Sequence, residues 1–354
     1  MICLKNKVLL LMGGSAYSKG IYEYKKEKQF RIITVGRDQN TPISLIADKF
    51  YNIDTQDVDT IVDIVIKEKV DGIFVGSSEV NISPAIDVAE RTGINFYVNR
   101  KQWDIISNKA RFKKIARIYG FPVIPEFELS KEPTTDEIEN LEYPVMIKPT
   151  DSSGARGMNP CYSAGDFKKL YNEALKHSKH KEIIVEKLIV DAKEVFVNYT
   201  IQDGIPTLSY AFTKFKVDTS NHNILVPLFH MYPFHNIDEY YEKVDLKAKK
   251  MIEGLGLKNG TLTLQGFYKN GEFYFFEAGF RMGGAQAYIL TEHNWGANVL
   301  KYMINYALTG SMSEHDLSKI ENAKFKFPCC NYYIALKAGT IDKIENLELI
   351  YKLP

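Results

Sequence analysis

The chain has 354 residues, with 45 Lys+Arg against 44 Asp+Glu and a formal net charge of +1, so it carries no global positive field with which to hold a polynucleotide. At 45% hydrophobic it can bury more than one core, and its length suits two or three domains. The early apolar run at residues 8–12 is too short to span a bilayer or form a signal-peptide core, and charges interrupt the later runs, so a soluble, cytoplasmic protein without a membrane partner is expected. Cys3, Cys161, Cys329 and Cys330 show neither metal-ligand spacing nor a secreted disulfide framework, and they read as reduced thiols.

In the first hundred residues strand and helix patterns alternate. Residues 8–12, 31–35, 72–75 and 95–98 are short runs rich in β-branched and aromatic residues, and residues 20–27, 58–69 and 83–92 between them have helical patterning. A parallel, doubly wound sheet is the natural solution. Gly13-Gly14-Ser15 and Asp38 imitate a dinucleotide fingerprint, but the glycine spacing does not match it. Glu79 falls just past a strand's carboxyl end, where open α/β sheets place their ligand crevices; it reads either as a pocket acid or as a helix N-terminal acid favoured by the macrodipole.

Asn108-Lys109 opens a basic helix at 110–119, which ends at Gly120 before a proline-punctuated link through Pro122 and Pro125. Residues 131–140 read as a polar surface connection. The most informative stretch follows: a β-branched run from Val145 to Ile147 delivers Lys148, and Ser152, Ser153, Gly154, Arg156 and Gly157 then form a small-residue loop whose backbone can approach an anion closely. It lacks the Gly-Lys-Ser/Thr end of a P-loop, and ordinary turn chemistry uses the same residues. Further on, Glu186 lies in an apolar run, Glu194 follows eight residues later, and Asp203-Gly204 is a hairpin signal leading to a strand with Lys214 at its end. His222, His230 and His235 have no metal-ligand spacing, so zinc is not expected, and His230 reads chiefly as a packing or surface residue. Gln265 and Glu277 are polar residues in two alternating strands joined by Lys269-Asn270-Gly271, and a buried carboxylate is costly unless paired or bound to metal. Arg281, Gly283 and Gly284 come next, and the tail from Cys329 onward has strand-like runs.

Taken together, these stretches resemble the ATP-grasp superfamily from about Lys7 to the C-terminus, most closely its carboxylate–amine ligase and carbamoyl-phosphate-synthetase-like branch. The resemblance implies an α/β and α+β fold. A Rossmann-like domain at 1–100 would precede an ATP-grasp domain at 101–310, divided at about 181/182, and a small C-terminal β subdomain at 311–354 that is short or incomplete. It further implies ATP and Mg²⁺ (or Mn²⁺) as cofactors. Lys109, Lys148, the loop at 152–157 and Lys214 would face the phosphates. The backbone of Glu186 and Leu188 would read adenine and Glu194 would hold the ribose, although its spacing is one residue longer than the branch pattern and a strand-surface acid is the other reading. Gln265 and Glu277 would bind metal, Arg281 with Lys148 would act on the transferred phosphoryl group, and Glu79, Gly283 and Gly284 would line the substrate pocket. The pattern is broken at Gly279, where the family places an asparagine ligand of the second metal. The implied activity is ADP-forming activation of a small carboxylate as an acyl phosphate for attack by an amine, with the loop closing as a lid, and a homodimer is compatible with it. A carbamoyl-phosphate-type enzyme and a nucleotide-binding protein without catalysis are the alternatives.

Overall fold

The structure, a computed structural model, describes residues 2–152, 154, 156–216, 227–334, 336 and 339–350; Ser153 and His222 lie outside the described residues. Near the N-terminus, β1 (Val8–Leu11), β2 (Arg31–Gly36), β3 (Lys49–Asn52) and β4 (Gly72–Phe74) form a parallel sheet in the order β3-β2-β1-β4. Helix Ser18–Lys28 connects β1 to β2, the short helix Pro42–Leu45 lies between β2 and β3, Val58–Glu68 connects β3 to β4, and Ile82–Thr92 follows β4. Two details differ from the sequence expectation. Residues 95–98 contribute only an isolated bridge from Asn95 to Gly72, whereas the half-exposed Lys49–Asn52 supplies an edge strand that its polar composition concealed. Gly72 is set by space: a Cβ there would stand 1.8 Å from the Ala307 carbonyl oxygen, so the helix Val299–Thr309 packs directly on β4.

A three-stranded sheet follows, with β5 (Val145–Pro149) between β6 (Asn159–Cys161) and β7 (Ile183–Lys187), backed by the helix Ala164–Lys176. β8 (Lys193–Gln202) and β9 (Ile205–Lys216) form a hairpin at Asp203-Gly204, both with positive φ (52° and 87°). With β10 (Pro227–Tyr232), β11 (Gly260–Lys269), β12 (Glu272–Gly279) and β13 (Cys329–Tyr332) they complete a six-stranded antiparallel sheet in the order β12-β11-β8-β9-β10-β13. The C-terminal part thus supplies an edge strand, and residues 347–350, strand-like in sequence, form a short helix.

One apolar core runs from the parallel sheet to the back of the six-stranded sheet, through Val195, Val197, Tyr199 and Ile201. The three-stranded sheet has a core of its own around Val145, Ile147, Phe167 and Val185. A third, smaller cluster lies around Tyr210, Phe212, Tyr232 and Phe325, and the core of the three-stranded sheet, separate from both, leaves a cleft between that sheet and the six-stranded one. Among the described residues no helix is long and apolar enough to cross a membrane.

Glu321 tests how a buried acid is tolerated beside this sheet. Its carboxylate accepts from Ser209 Oγ at 2.6 Å and Thr200 Oγ1 at 3.1 Å, yet burial outweighs both bonds and pushes its pKa from 4.5 up to about 7. Between those values the folded protein holds a proton that the unfolded chain has released, so this contribution is present below the window and is lost as pH rises through it. Glu321→Gln is therefore expected to flatten the pH dependence of urea unfolding between pH 4.5 and 7, and to recover up to about 3 kcal/mol above it. Parallel unfolding curves for parent and variant across that range would refute the assignment.

Candidate active site: a cleft between two sheets

The side chains of the cleft are placed first by the helix Lys109–Ile118. Asn108 caps it, accepting from the Arg111 N–H at 3.0 Å. Lys109 and Lys113, one turn apart, lie on its buried side with Phe112 and Ala116. Lys113 is fully buried. Its ammonium pairs with Glu126 at 3.0 Å and bonds Glu186, and Glu186 receives Lys148 on its other oxygen at 2.5 Å. Burial pulls the Lys148 pKa down, opposed by Glu186. Its Nζ also lies 5.3 Å from the centre of the Phe276 ring. Lys148 is thus a neutralised, buried group rather than a free charge at the strand end.

Lys109 Nζ donates to the Ser152 carbonyl at 2.6 Å and stands 3.6 Å from a Glu277 oxygen. Its backbone N–H donates to Thr150 at 3.0 Å, so helix and loop are joined twice. Within the loop, Ser152 Oγ donates to the Arg156 carbonyl at 2.8 Å, while Gly154 and Gly157 take positive φ, 66° and 73°. Arg156 lines a cavity of about 740 Å³ that also receives Glu79, Arg100 and Arg111.

On the six-stranded sheet, register places the remaining groups on one face. Gln265 pairs with Glu277 and with Phe196, Glu194 pairs with Lys214 and Phe267, and His230 pairs with Lys214. The β11–β12 ladder shifts register between Gln265 and Gly266, a bulge that turns Phe276 to the same side as Glu277. Glu194 is ion-paired with Lys214 at 3.4 Å and also with Lys216. Leu188 donates its N–H to the Pro144 carbonyl at 3.2 Å, so a purine reading that amide requires this bond to be exchanged. Arg281 pairs with Glu79 at 3.2 Å, which ties the carboxyl end of the parallel sheet to the end of β12. Gly283 accepts from the Tyr17 hydroxyl, and Gly283 and Gly284 line a second cavity, of about 290 Å³.

The donor set suits Mg²⁺. Glu277 and Gln265 offer one carboxylate and one amide oxygen, and this hard ion commonly takes one or two carboxylates with phosphate oxygens and water completing its shell. Among the described residues no group of three or more His, Cys, Asp or Glu could hold a metal unaided. At Gly279 an added Cβ would meet nothing within 4 Å, so the missing side chain leaves open space beside the pair.

Residues 108–315 match the family described as "Carbamoyl-phosphate synthase L chain, ATP binding domain". The chain belongs to the ATP-grasp family. It is 28% identical over 279 residues to a formate-dependent phosphoribosylglycinamide formyltransferase of Methanocaldococcus jannaschii, covering 76% of this chain and 68% of that one. The enzymes of that name from Sulfurisphaera tokodaii and Ignicoccus hospitalis are spanned over only 52% and 50% of their lengths. The carbamoyl phosphate synthase large chain of Clostridium acetobutylicum is 24% identical over 250 residues, 69% of this chain and 22% of that one. Among solved structures, the L-amino acid ligase of Bacillus licheniformis superposes with a TM-score of 0.75 at 19% identity, covering 99% of this chain and 85% of that one. The biotin carboxylase domain of the Hydrogenobacter thermophilus 2-oxoglutarate carboxylase gives 0.75 at 19%, over 92% and 73%. At these identities the superpositions speak to the fold.

In this ATP-grasp cleft, Lys113 is a site residue that the sequence analysis did not single out from the basic helix at 110–119. A signal was present: Lys109 and Lys113 lie four apart on the helix face that also carries Phe112 and Ala116. It also undervalued His230, whose burial depends on the partners of β10 and is invisible in a local pattern. Removing Lys113 leaves Glu186 with Lys148 alone. Lys113→Met is expected to cost about 3 kcal/mol in urea unfolding, the low end for breaking a buried ion pair because one partner remains. A cost below about 1 kcal/mol would show that the pairing adds nothing net.

Proposed function

We propose that this chain is an ADP-forming ligase that uses ATP to activate a small carboxylate as an acyl phosphate, which an amine then attacks. The observation that carries the reading is the cross-strand Gln265–Glu277 pair with Lys109 3.6 Å from the carboxylate and Arg281 two residues beyond Gly279 on the same chain segment. Oxygens suited to a metal and the Lys109 ammonium are thus close enough to serve phosphoryl transfer, which asks mainly for positioning and charge stabilisation. When bound, Mg²⁺ would neutralise phosphate charge, held by Glu277 and Gln265.

The chain's own groups have separable tasks. Lys109 and Lys148 would meet the triphosphate as their carboxylate partners yield. Ser152, Gly154, Arg156 and Gly157 would cover it and exclude water from a labile acyl phosphate. Glu186 and Leu188 would hold the adenine, Glu194 the ribose, and Lys214 would remain a phosphate-side cation. Arg281 would leave Glu79 to bind the acyl phosphate, for which its planar fork is suited. Glu79, Gly283 and Gly284 would border the substrates. A cytoplasmic location, where ATP is abundant, belongs to this reading, as does pairing of two copies. A carbamoyl-phosphate-type activity is the second reading, favoured by the match at residues 108–315.

Glu277→Gln keeps shape and removes charge. It is expected to lower ATP turnover at least a hundredfold while leaving the unfolding midpoint unchanged, measured as ADP released with acid and amine present. Undiminished turnover would move the metal site elsewhere. Gly279 is buried, but a Cβ there would meet nothing within 4 Å, so the stability of Gly279→Asn should stay within about 1 kcal/mol of the parent. Its ADP release then reports whether a second amide oxygen raises turnover or is indifferent, and Mg·ATP binding with no release from either protein over a broad panel of acids and amines would leave a binding protein.

A further inference from the structure

The cavity of about 290 Å³ beside Arg281 has a composition that narrows the acid substrate. Its size is that of a small-metabolite pocket and many times that of a one-carbon acid. One wall is a ladder of rings across three strands. Phe196 on β8 stacks on Phe212 of β9 with centroids 4.8 Å apart and planes within 6°, and Phe212 stacks on His230 of β10 at 4.4 Å. Tyr333, just beyond β13, meets the imidazole edge-on at 4.9 Å. The charged groups lining the cavity among the described residues are Lys214 and Arg281, whose partners Glu194 and Glu79 do not line it, so an anion can take over from those partners whereas an ammonium finds no carboxylate in the lining.

His230 supplies the polar detail. It is only 7% exposed, and its Nδ1 is 3.1 Å from the Tyr333 hydroxyl. Its Nε2 is buried and has no hydrogen-bond partner among the described residues. Burial first, and the nearby Lys214 second, hold its pKa down at about 4, so the ring is neutral at ordinary pH. A buried polar nitrogen without a partner costs free energy that a ligand atom can recover. On a ring already stacked, that nitrogen can reach only a group lying close to its own plane.

Resting on the ligase reading, we propose that the cavity holds the body of the acid substrate, and that this acid is a planar aromatic or conjugated carboxylate with a hydrogen-bonding heteroatom read by His230 Nε2. Its carboxylate points toward Arg281 and the Gln265–Glu277 pair, and its ring meets the edges of the ladder, in the plane from which Nε2 is reached. His230 is a specificity residue here, since it neither meets the phosphates nor moves a proton.

Hydroxylamine makes the test independent of the natural amine. Its nitrogen attacks the acyl carbon, the bond to the phosphate oxygen breaks, inorganic phosphate leaves with the displaced proton, and a coloured-complex-forming hydroxamate remains. With Mg·ATP, the three hydroxybenzoates, benzoate, nicotinate, acetate and formate are compared. Ring acids are expected to exceed formate and acetate at least tenfold in kcat/KM, and at least one heteroatom-bearing ring acid should exceed benzoate tenfold. His230→Ala should abolish that second preference, mainly through KM and with Mg·ATP affinity unchanged, and His230→Gln should restore part of it. Saturation-transfer NMR of the same acids with a non-hydrolysable ATP analogue bound reads occupancy without catalysis. Hydroxamate from formate or acetate as readily as from ring acids, or a ring-acid preference untouched in His230→Ala, overturns the proposal and leaves the ligase reading. His230-dependent binding without any hydroxamate upholds the site and overturns the ligase reading. Neither binding nor hydroxamate overturns both.

Discussion

The carboxylate of Glu186, held between the ammonium groups of Lys113 and Lys148, is the interaction on which the cleft depends. All three side chains are nearly inaccessible, and each would be a severe liability alone. Together they join the helix Lys109–Ile118, β5 and β7, three elements that are distant in sequence. Because Lys109 stands one turn before Lys113, fixing the second orients the first toward Ser152 and Glu277. A purely apolar joint of the same size would be at least as stable, but it would not fix the rotation of the helix so narrowly. The retention of three buried charges is therefore better explained by placement than by stability.

The four principal cations of the cleft each have a carboxylate: Lys109 with Glu277, Lys148 with Glu186, Lys214 with Glu194 and Arg281 with Glu79. Such pairing keeps like charges from repelling across a confined space, and it sets what a triphosphate must do on arrival. In the proposed reading a triphosphate would take the place of carboxylates beside Lys109 and Arg281, cations already in position, while the buried Glu186 pair keeps the frame. The pairs are not equivalent. Lys148–Glu186 is buried at both ends, whereas Arg281 and Glu79 are each more than a fifth exposed and bridge two sheets, so this pair separates more cheaply.

Much of the architecture was legible because local and long-range signals agree. Strands β1, β2 and β4 are short runs rich in apolar and β-branched residues, and the turns at Asp203-Gly204 and Asn270-Gly271 require the positive φ that those residues tolerate. The turn at Asn270-Gly271 sets the register from Lys269–Glu272 to Gly266–Phe275, and the bulge at Phe276 then brings Glu277 opposite Gln265. What escaped was whatever depends on a distant partner. β3 is an edge strand whose polarity suits solvent on one side, residues 95–98 form only a bridge at Asn95, and the bulge at Phe276 leaves no mark in a periodic pattern. Site residues were named by type and spacing, but the sequence could not show that Lys148 is buried with Glu186, or that Leu188 already donates its amide to Pro144.

Gly279 bears on how the cleft divides its labour. Its backbone pairs with Thr263, whose hydroxyl accepts from Asn198 Nδ2 at 3.0 Å, so the polar network of β8 and β11 continues beneath the glycine without needing a side chain from it. The space above is open rather than filled by a neighbour, which distinguishes a lost ligand from a repacked one. In the proposed reading Glu277 and Gln265 would hold an ion that keeps several waters of its own, so position 279 need not supply a ligand. Meanwhile Arg281, two residues on, keeps a fixed cation at the same end of the strand, so part of the charge a second metal would supply is already present as protein. Loss of the amide is on these grounds compatible with phosphoryl transfer, because the charge and the strand register survive it and only one neutral oxygen is missing.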